Sequence, residues 1–424
     1  MAAITEVDSP VTEAFPINQN GPNTNMGDSM KMHRPVHTRT SEITALDAMV
    51  FLEAAVDNGA KYNQPPKWGV LKITNIPYSM TKEEVTCLMG KNAKLLPPEL
   101  GNPIHIIMER STAKTMDCYV EFLTPADAME ALRYVNGGLP SHPPRLGSRF
   151  VHVEMSSQDE LLRALFPRAK YLVWREGIPF VLENTDPYST GYQGLFTSEE
   201  IYNVVRHAEF PRRAPFAEKC PQRTYENMIS TLYKFPWYAT TLYTVEDRNT
   251  LFYALINQLK ALLPLVKRKK TLGLNERLLD DLLFAGLRCP VFNERQKFAL
   301  YKAAGRDPKV AMPISSVCWP FDTLIRKPSA TEGQVTQLAQ FLAQTSKLVD
   351  LGSDILPNTW NFKEHSVTNG LFGQVWFQWG LGNTHHSFQF AVEHELAILN
   401  KLAEAWAKAK NEERKSRAMA MLPN

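Results

Sequence analysis

At 424 residues the chain is long for one hydrophobic core, so two or three folded units with tails are expected. An apolar fraction of 44% and a charged fraction of 21% are ordinary for globular protein and exclude a mainly disordered chain. The formal charge of +3 neither selects nor excludes a nucleic-acid partner, because the local field decides that. Residues 1–60 carry three basic and eight acidic side chains, whereas residues 261–350 carry fourteen basic and eight acidic ones. Cys87, Cys118, Cys220, Cys289 and Cys318 are scattered, without the short spacing of a metal clamp. With no secretory apolar stretch at the start, a reducing compartment is expected, nuclear or cytoplasmic. Membranes are not expected partners: Leu251 to Val266 is interrupted by Lys260 and followed by charge, short of the roughly eighteen apolar residues that span a bilayer.

Residues 1–40, acidic and rich in Asn, Pro, Thr and Ser, cannot offset the entropy of ordering and read as a disordered tail. Residues 41–67 hold a short helix, Ser41 to Val56, with Ile43, Leu46, Met49, Val50 and Leu52 mostly along one face, then a linker with Pro65 and Pro66. Alternation over Gly69-Val70-Leu71-Lys72-Ile73-Thr74 predicts a strand that ends at Asn75-Ile76-Pro77. Thr81 with Glu84 is a capping box opening a helix whose apolar face includes Val85 and Leu88. Strands are predicted over His105 to Glu109 and Asp117 to Phe122. Thr124 and Pro125 start a second helix, with Ala128, Ala131 and Leu132 toward the core, and Asn136-Gly137-Gly138 stops it through left-handed geometry. Phe150 to Glu154 is the last strand. The order strand, helix, strand, strand, helix, strand over residues 68–157 is the split βαβ pattern, with one sheet face under two helices and the other free.

The same stretch resembles the RNA-recognition motif. Its first-strand signature, an aliphatic, an aromatic, an aliphatic, any residue, Asn and an aliphatic, is met by Leu71, Ile73, Asn75 and Ile76, with Lys72 at the aromatic position. The third-strand signature is met at Tyr119, Val120 and Phe122, with Thr115, Met116 and Asp117 replacing its basic residue, glycine and first aromatic. A period of two turns Leu71, Ile73, Cys118, Val120 and Phe122 to the helices and Lys72, Asp117 and Tyr119 to the free face. Ordinary members stack bases on rings there; only Tyr119 keeps one. These departures, with the runs Ile76-Pro77-Tyr78-Ser79 and Gly147-Ser148-Arg149-Phe150-Val151-His152-Val153, resemble the quasi-RNA-recognition motifs of heterogeneous nuclear ribonucleoproteins F and H and of epithelial splicing regulators. The resemblance implies a loop-based grip on single-stranded RNA, with Lys72 as the basic contact and Tyr78 as the ring. The loop between strands two and three supplies Arg110 and Lys114 but no ring. With Asn75, Tyr119, Phe150 and His152 these form the expected RNA-binding set. The residues equally admit a protein-binding face, with Tyr119 covering a helix, Lys72 paired with Asp117 or Glu121, and Tyr78 packed on the sheet edge.

Beyond it, residues 158–196 read as a helical extension, Gln158 to Leu165, and an ordered connector; a helix in this position could lie across the free face, and the sequence leaves open whether it does. Residues 197–310 open on the capping box of Thr197 and Glu200 and continue as helices over Thr224 to Leu232, Asp247 to Val266, Asn275 to Ala285 and Asn293 to Ala304. Lys267, Arg268, Lys269 and Lys270 form the densest basic run, suited to phosphates, to nuclear import or to a solvated loop. Residues 311–404 add a helix over Gly333 to Leu351 and an aromatic stretch over Asn358 to Phe390, including Trp360. The final helix, His394 to Met419, runs into a charged tail over 405–424. The expected fold class is α+β, an N-terminal βαββαβ sandwich followed by a larger, mainly α-helical region.

His385, His386, Glu393, His394 and Glu395 do not match the zinc-protease helix motif, and Gly380-Leu381-Gly382-Asn383 lacks the Lys of a phosphate loop. No enzyme, metal or cofactor is therefore expected. The preferred function is a single-stranded RNA-binding regulatory protein whose helical region recruits protein partners, two weak contacts cooperating through effective concentration. The rival is an interaction scaffold built on a degenerate motif.

Overall fold

Alternating apolar side chains generate the sheet from which the rest of the fold is organised. The computed structural model describes residues 42–137, 143–349, 370–379 and 386–420. The expectations for the tail 1–40, for Gly138, for Trp360 and most of its aromatic stretch, for Gly380 to Asn383 and for His385 lie outside those residues.

Helix α1 (Ala45–Ala55) buries Ala48, Leu52 and Ala55 and leaves Leu46 and Val50 exposed. The buried stripe is thus rotated from the expected one, because two alanines let the helix approach its neighbours closely. Then follow β1 (Gly69–Thr74), α2 (Lys82–Met89), β2 (Ile104–Met108), β3 (Thr115–Phe122), α3 (Pro125–Asn136), the short pair β4 (Arg145–Leu146) and β5 (Arg149–Phe150), and β6 (His152–Ser156). The four long strands form an antiparallel sheet in the order β2-β3-β1-β6. Leu71, Ile73, Cys118, Val120 and Val153 share a core with Val85 and Met89 of α2 and Ala128 and Ala131 of α3. The capping box of Thr81 with Glu84 and the Thr124 cap with Pro125 in the first turn both form.

Two local expectations are corrected. Gly137 ends α3 at φ −80°, without left-handed geometry. Phe150 belongs to the β4/β5 hairpin, so β6 begins at His152. Gly147, at φ +56°, closes the two-residue turn that folds Arg149 and Phe150 back onto Leu146 and Arg145.

The chain continues through α4 (Gln158–Leu165), the hairpin of β7 (Leu172–Arg175) and β8 (Ile178–Val181), α5 (Ser198–Glu209), α6 (Arg223–Lys234), α7 (Val245–Arg268), α8 (Glu276–Leu287), α9 (Glu294–Ala303), α10 (Glu332–Thr345) and α11 (Phe388–Ala420). A hairpin therefore stands at the start of the expected connector. Helix α1 packs on α10 and α11, with Phe51 against Phe341 and Trp406. The side chain of Asn411 accepts from the Ile43 amide at 3.0 Å and donates to its carbonyl at 2.7 Å, so α11 stays docked into the expected tail. The chain is mixed α and β, with a strand-rich N-terminal part and a helical remainder. The described residues from Ile43 onward form one compact unit, so the segments read separately there share one body. No helix among the described residues is long and apolar enough to cross a membrane.

The second sheet face is not free. Val70, Ile107 and Tyr119 belong to one core with Leu161, Leu162 and Leu165 of α4 and Met228, Ile229 and Leu232 of α6. Registration sets His105, Tyr119, Lys72 and Glu154 in one row across the sheet. Polar groups trapped under the helices need partners, because each one left unpaired costs a kilocalorie or more per mole. Glu121 supplies the hub. Its carboxylate accepts from Lys234 Nζ at 2.6 Å, from Gln158 Nε2 at 2.6 Å and from His105 Nε2 at 2.9 Å, while Lys234 also donates to Gln158 Oε1 at 2.7 Å. Burial by itself raises the Glu121 carboxyl, but Lys234 and His105 outweigh that and hold it down to about 2. Burial pushes His105 down, and because an ionised Glu121 only accepts, the neutral ring carries its proton on Nε2. Burial likewise lowers Lys234, against the pull of Glu121.

Helix α6 meets the sheet unit through one polar stripe. Arg223, Asn227, Thr231 and Lys234 recur at steps of four, four and three residues, one face of a helix. Removing the cation alone strands a buried carboxylate, so Lys234→Met should destabilise the fold by about 3–5 kcal/mol, seen as a lowered urea midpoint. Adding Glu121→Gln should recover part of that loss. The depressed Glu121 carboxyl contributes stability in full above the ordinary value of 4.5 and loses it as pH falls from there toward about 2, which acid titration of the wild-type protein should show.

Candidate nucleic-acid interface

Antiparallel order brings the end of β1, the β2–β3 loop and the start of β6 to one end of the sheet, since Ile73 pairs with Cys118 and Thr74 with His152. The expected RNA-binding residues divide between this end and the covered face.

Lys72 lies on the covered face. Its Nζ meets Glu160 of α4 at 2.6 Å and Asp117 at 3.9 Å. The hydrogen bond to Glu160 raises the Lys72 ammonium above its ordinary range. Tyr119 is 2% exposed, with Lys72 Nζ 5.8 Å from its ring centroid. The expectation of an open platform at Tyr119 is therefore corrected: α4 and α6 occupy that face. Arg110 is buried as well. It donates to Glu200 at 3.3 Å, to Asn227 at 3.5 Å and to Thr231 at 3.1 Å, and its carbonyl accepts from His207 Nε2 at 3.1 Å. The arginine expected to contact RNA instead ties the β2–β3 loop to α5 and α6. Lys114 closes that loop half-buried, its backbone carbonyl accepting from the Glu109 amide.

The remaining four lie together and accessible. Asn75 takes φ +58° and donates from Nδ2 to the Phe150 carbonyl at 2.9 Å, joining the β1–α2 loop to the hairpin. Tyr78 is 37% exposed, and its ring stands edge-on to Phe216 at 5.4 Å. Its carbonyl accepts from Thr115 Oγ1 at 3.1 Å, Cys220 Sγ at 3.2 Å and Arg223 Nη2 at 3.2 Å. Arg223 is fully buried and also donates to the Met80 carbonyl at 2.6 Å. The loop backbone is thus fixed from beneath while the ring stays outside. Phe150 is 47% exposed, and His152 is exposed beside Glu154 at 3.5 Å.

Two arginines complete the cluster. The Arg145 guanidinium lies 3.9 Å from the Phe150 ring centroid, and that of Arg149 lies 5.5 Å from the Tyr78 ring while donating to the Ile76 carbonyl at 3.3 Å. Neither makes a salt bridge among the described residues. Arg145 and Arg149 were not among the expected contacts. The signal was available as Arg145-Leu146-Gly147-Ser148-Arg149-Phe150, a glycine turn flanked by cations and a ring, but reading Phe150 as strand concealed the hairpin.

Lys267 and Arg268 end α7, Lys269 caps it at φ +52°, and all four residues of the basic run are exposed. Cations there also complement the helix dipole. Around the final helix, His394 Nδ1 bonds the Phe390 carbonyl and Glu393 accepts from Gln389, whereas Glu395 is buried and accepts from the amides of Asp322, Thr323 and Leu324. No group of three ligands suited to a metal occurs among the described residues.

Two family models match the chain, each described as a domain of unknown function: DUF8400 over residues 67–176 and DUF8399 over residues 192–306. Nothing among curated proteins matches. Of solved structures, the crystal structure of the Glorund qRRM2 domain is similar over 23% of this chain and 98% of that one, at 23% identity and a TM-score of 0.19.

The two environments predict opposite mutational behaviour. Arg110→Ala, which strands Glu200, should destabilise the protein by about 3–5 kcal/mol, whereas Phe150→Ala should stay within about 0.5 kcal/mol of wild type in the same denaturation experiment.

Proposed function

We propose that the protein binds single-stranded RNA at the loop end of its sheet, acting as a regulatory protein by positioning, with no covalent step. The sheet unit is read as a quasi-RNA-recognition motif whose usual stacking face serves its own helices. One observation carries the reading: Tyr78 and Phe150 are exposed rings, each with an arginine over it that has no carboxylate partner among the described residues. A ring beside a guanidinium offers a base a stacking surface and a phosphate a charge. Asn75 and His152 border the same surface and can bond base edges. Preorganisation supports the reading too, because Arg223 and Arg110 hold the loops from within and little order remains to be created on binding. Lys267, Arg268, Lys269 and Lys270 are proposed as an outlying phosphate contact.

Fluorescence anisotropy with mixed-sequence single-stranded RNA at fixed salt tests this. Losing stacking worth about 1–3 kcal/mol per base means that Arg149→Ala with Phe150→Ala should weaken binding about tenfold or more. Lys72→Ala should leave affinity within about twofold if the protein stays folded. Neutralising Lys267 to Lys270 should flatten the salt dependence of binding. An unaltered dissociation constant in the folded Arg149/Phe150 variant would remove this surface from the proposal. A second reading, a scaffold for protein partners, is favoured by the use of the sheet face for protein contact in this chain. Absence of RNA binding by the wild-type protein would select it.

A further inference from the structure

We infer that the RNA track continues beyond the sheet onto α5 and the turn after it, where Tyr202, Arg206, Phe210 and Arg213 form a second stacking subsite for the same strand. The inference rests on the RNA reading of the loop end.

Helix α5 needs neither ring for its core, which it makes with Ile201, Val204, Val205 and Ala208. On its other side Tyr202 is 60% exposed and Phe210 42% exposed. Tyr202, Arg206 and Phe210 follow at steps of four residues, so they line one face. The Arg206 guanidinium lies 4.3 Å from the Phe210 ring centroid and 5.7 Å from that of Tyr202, and Arg213 lies 4.9 Å from Phe210. Arg206 shares its charge with Glu209 at 2.9 Å. Arg212 and Arg213 are exposed and make no salt bridge among the described residues. Rings interleaved with guanidinium planes, that of Arg213 without a carboxylate partner among the described residues, match a ligand that is both planar and anionic, as a single strand is. An apolar partner would have to desolvate three arginines, and an acidic peptide would leave the ring faces unused.

Continuity with the first subsite is direct. The turn Pro211–Arg213 leads into the short helix Pro215–Lys219, whose Phe216 touches Tyr78 at 5.4 Å. Six residue steps separate Phe210 from Phe216, at most about 20 Å of extended chain. His207 bonds the Arg110 carbonyl at 3.1 Å, which anchors α5 to the β2–β3 loop at the same end of the sheet.

Length dependence tests the idea in the full-length protein, using single-stranded RNAs of about 5 and about 15 nucleotides, which bracket one and several stacking subsites. Arg213→Ala with Phe210→Ala should weaken binding of the long RNA about tenfold and leave the short one unchanged, whereas the Arg149/Phe150 variant should lose both. In parallel, thiouridine-substituted long RNA should crosslink on irradiation to wild-type peptides containing Tyr202 or Phe210. If the Phe210/Arg213 variant holds the long RNA as tightly as wild type and no crosslink maps there, the second subsite is wrong while the loop-end reading survives. If wild-type protein binds neither RNA, the loop-end reading fails and this inference with it.

Discussion

A carboxylate in the middle of a covered sheet must find a cation, and Glu121 finds Lys234. Desolvation makes such a pair a poor source of net stability, but it discriminates strongly among arrangements, because any register that separates the two strands both charges. Once Lys234 is seated, α6 is oriented, and Arg223 lies eleven residues earlier on the same face, about 16 Å away along the axis. That places a buried guanidinium beneath the Tyr78 loop. One helix thus carries the constraint from sheet centre to sheet end, with Asn227 and Thr231 holding Arg110 on the way. The accessible Tyr78 ring depends on this strut for its position.

Seen from the sheet, the motif departures acquire a physical cause. Lys72 stands at the position where the compared strand signature has a ring, and it answers Glu160 on the covering helix. Asp117 stands where another ring is usual and faces the same ammonium. An exposed aromatic platform and a helix-covered polar face are alternative uses of one surface, and these side chains commit the chain to the second. The rim stays accessible, and there the hairpin supplies the cations Arg145 and Arg149.

The strands, helices and caps of the sheet unit were legible because each follows from local patterning: period two in β1 and β3, the Thr81 and Thr124 caps, and the Gln158 to Leu165 helix, whose place across the sheet the sequence left open and tertiary packing decides. Side-chain destinations were less legible. Arg110 in a loop reads as solvent-facing, and only the long-range meeting with Glu200, Asn227 and Thr231 makes it internal. The polar stripe of α6 is equally deceptive, since Arg, Asn, Thr and Lys at helical spacing describe an outer face in an isolated helix. The β4/β5 hairpin was hidden by its length, for two-residue strands carry no periodicity. Phe150 was therefore placed in the right neighbourhood and the wrong element.

The clasp between Asn411 and Ile43 joins segments 368 positions apart in sequence. Helices α1, α10 and α11 thereby close on one another like staves under a hoop, with the half-buried Phe51 and Trp406 packed on the buried Phe341. Removing either α1 or α11 undoes the same hoop and bares those rings to water. A shortened fragment bearing only the sheet and the middle helices would carry a new sticky surface, and its behaviour toward any ligand would reflect that wound as much as the native rim.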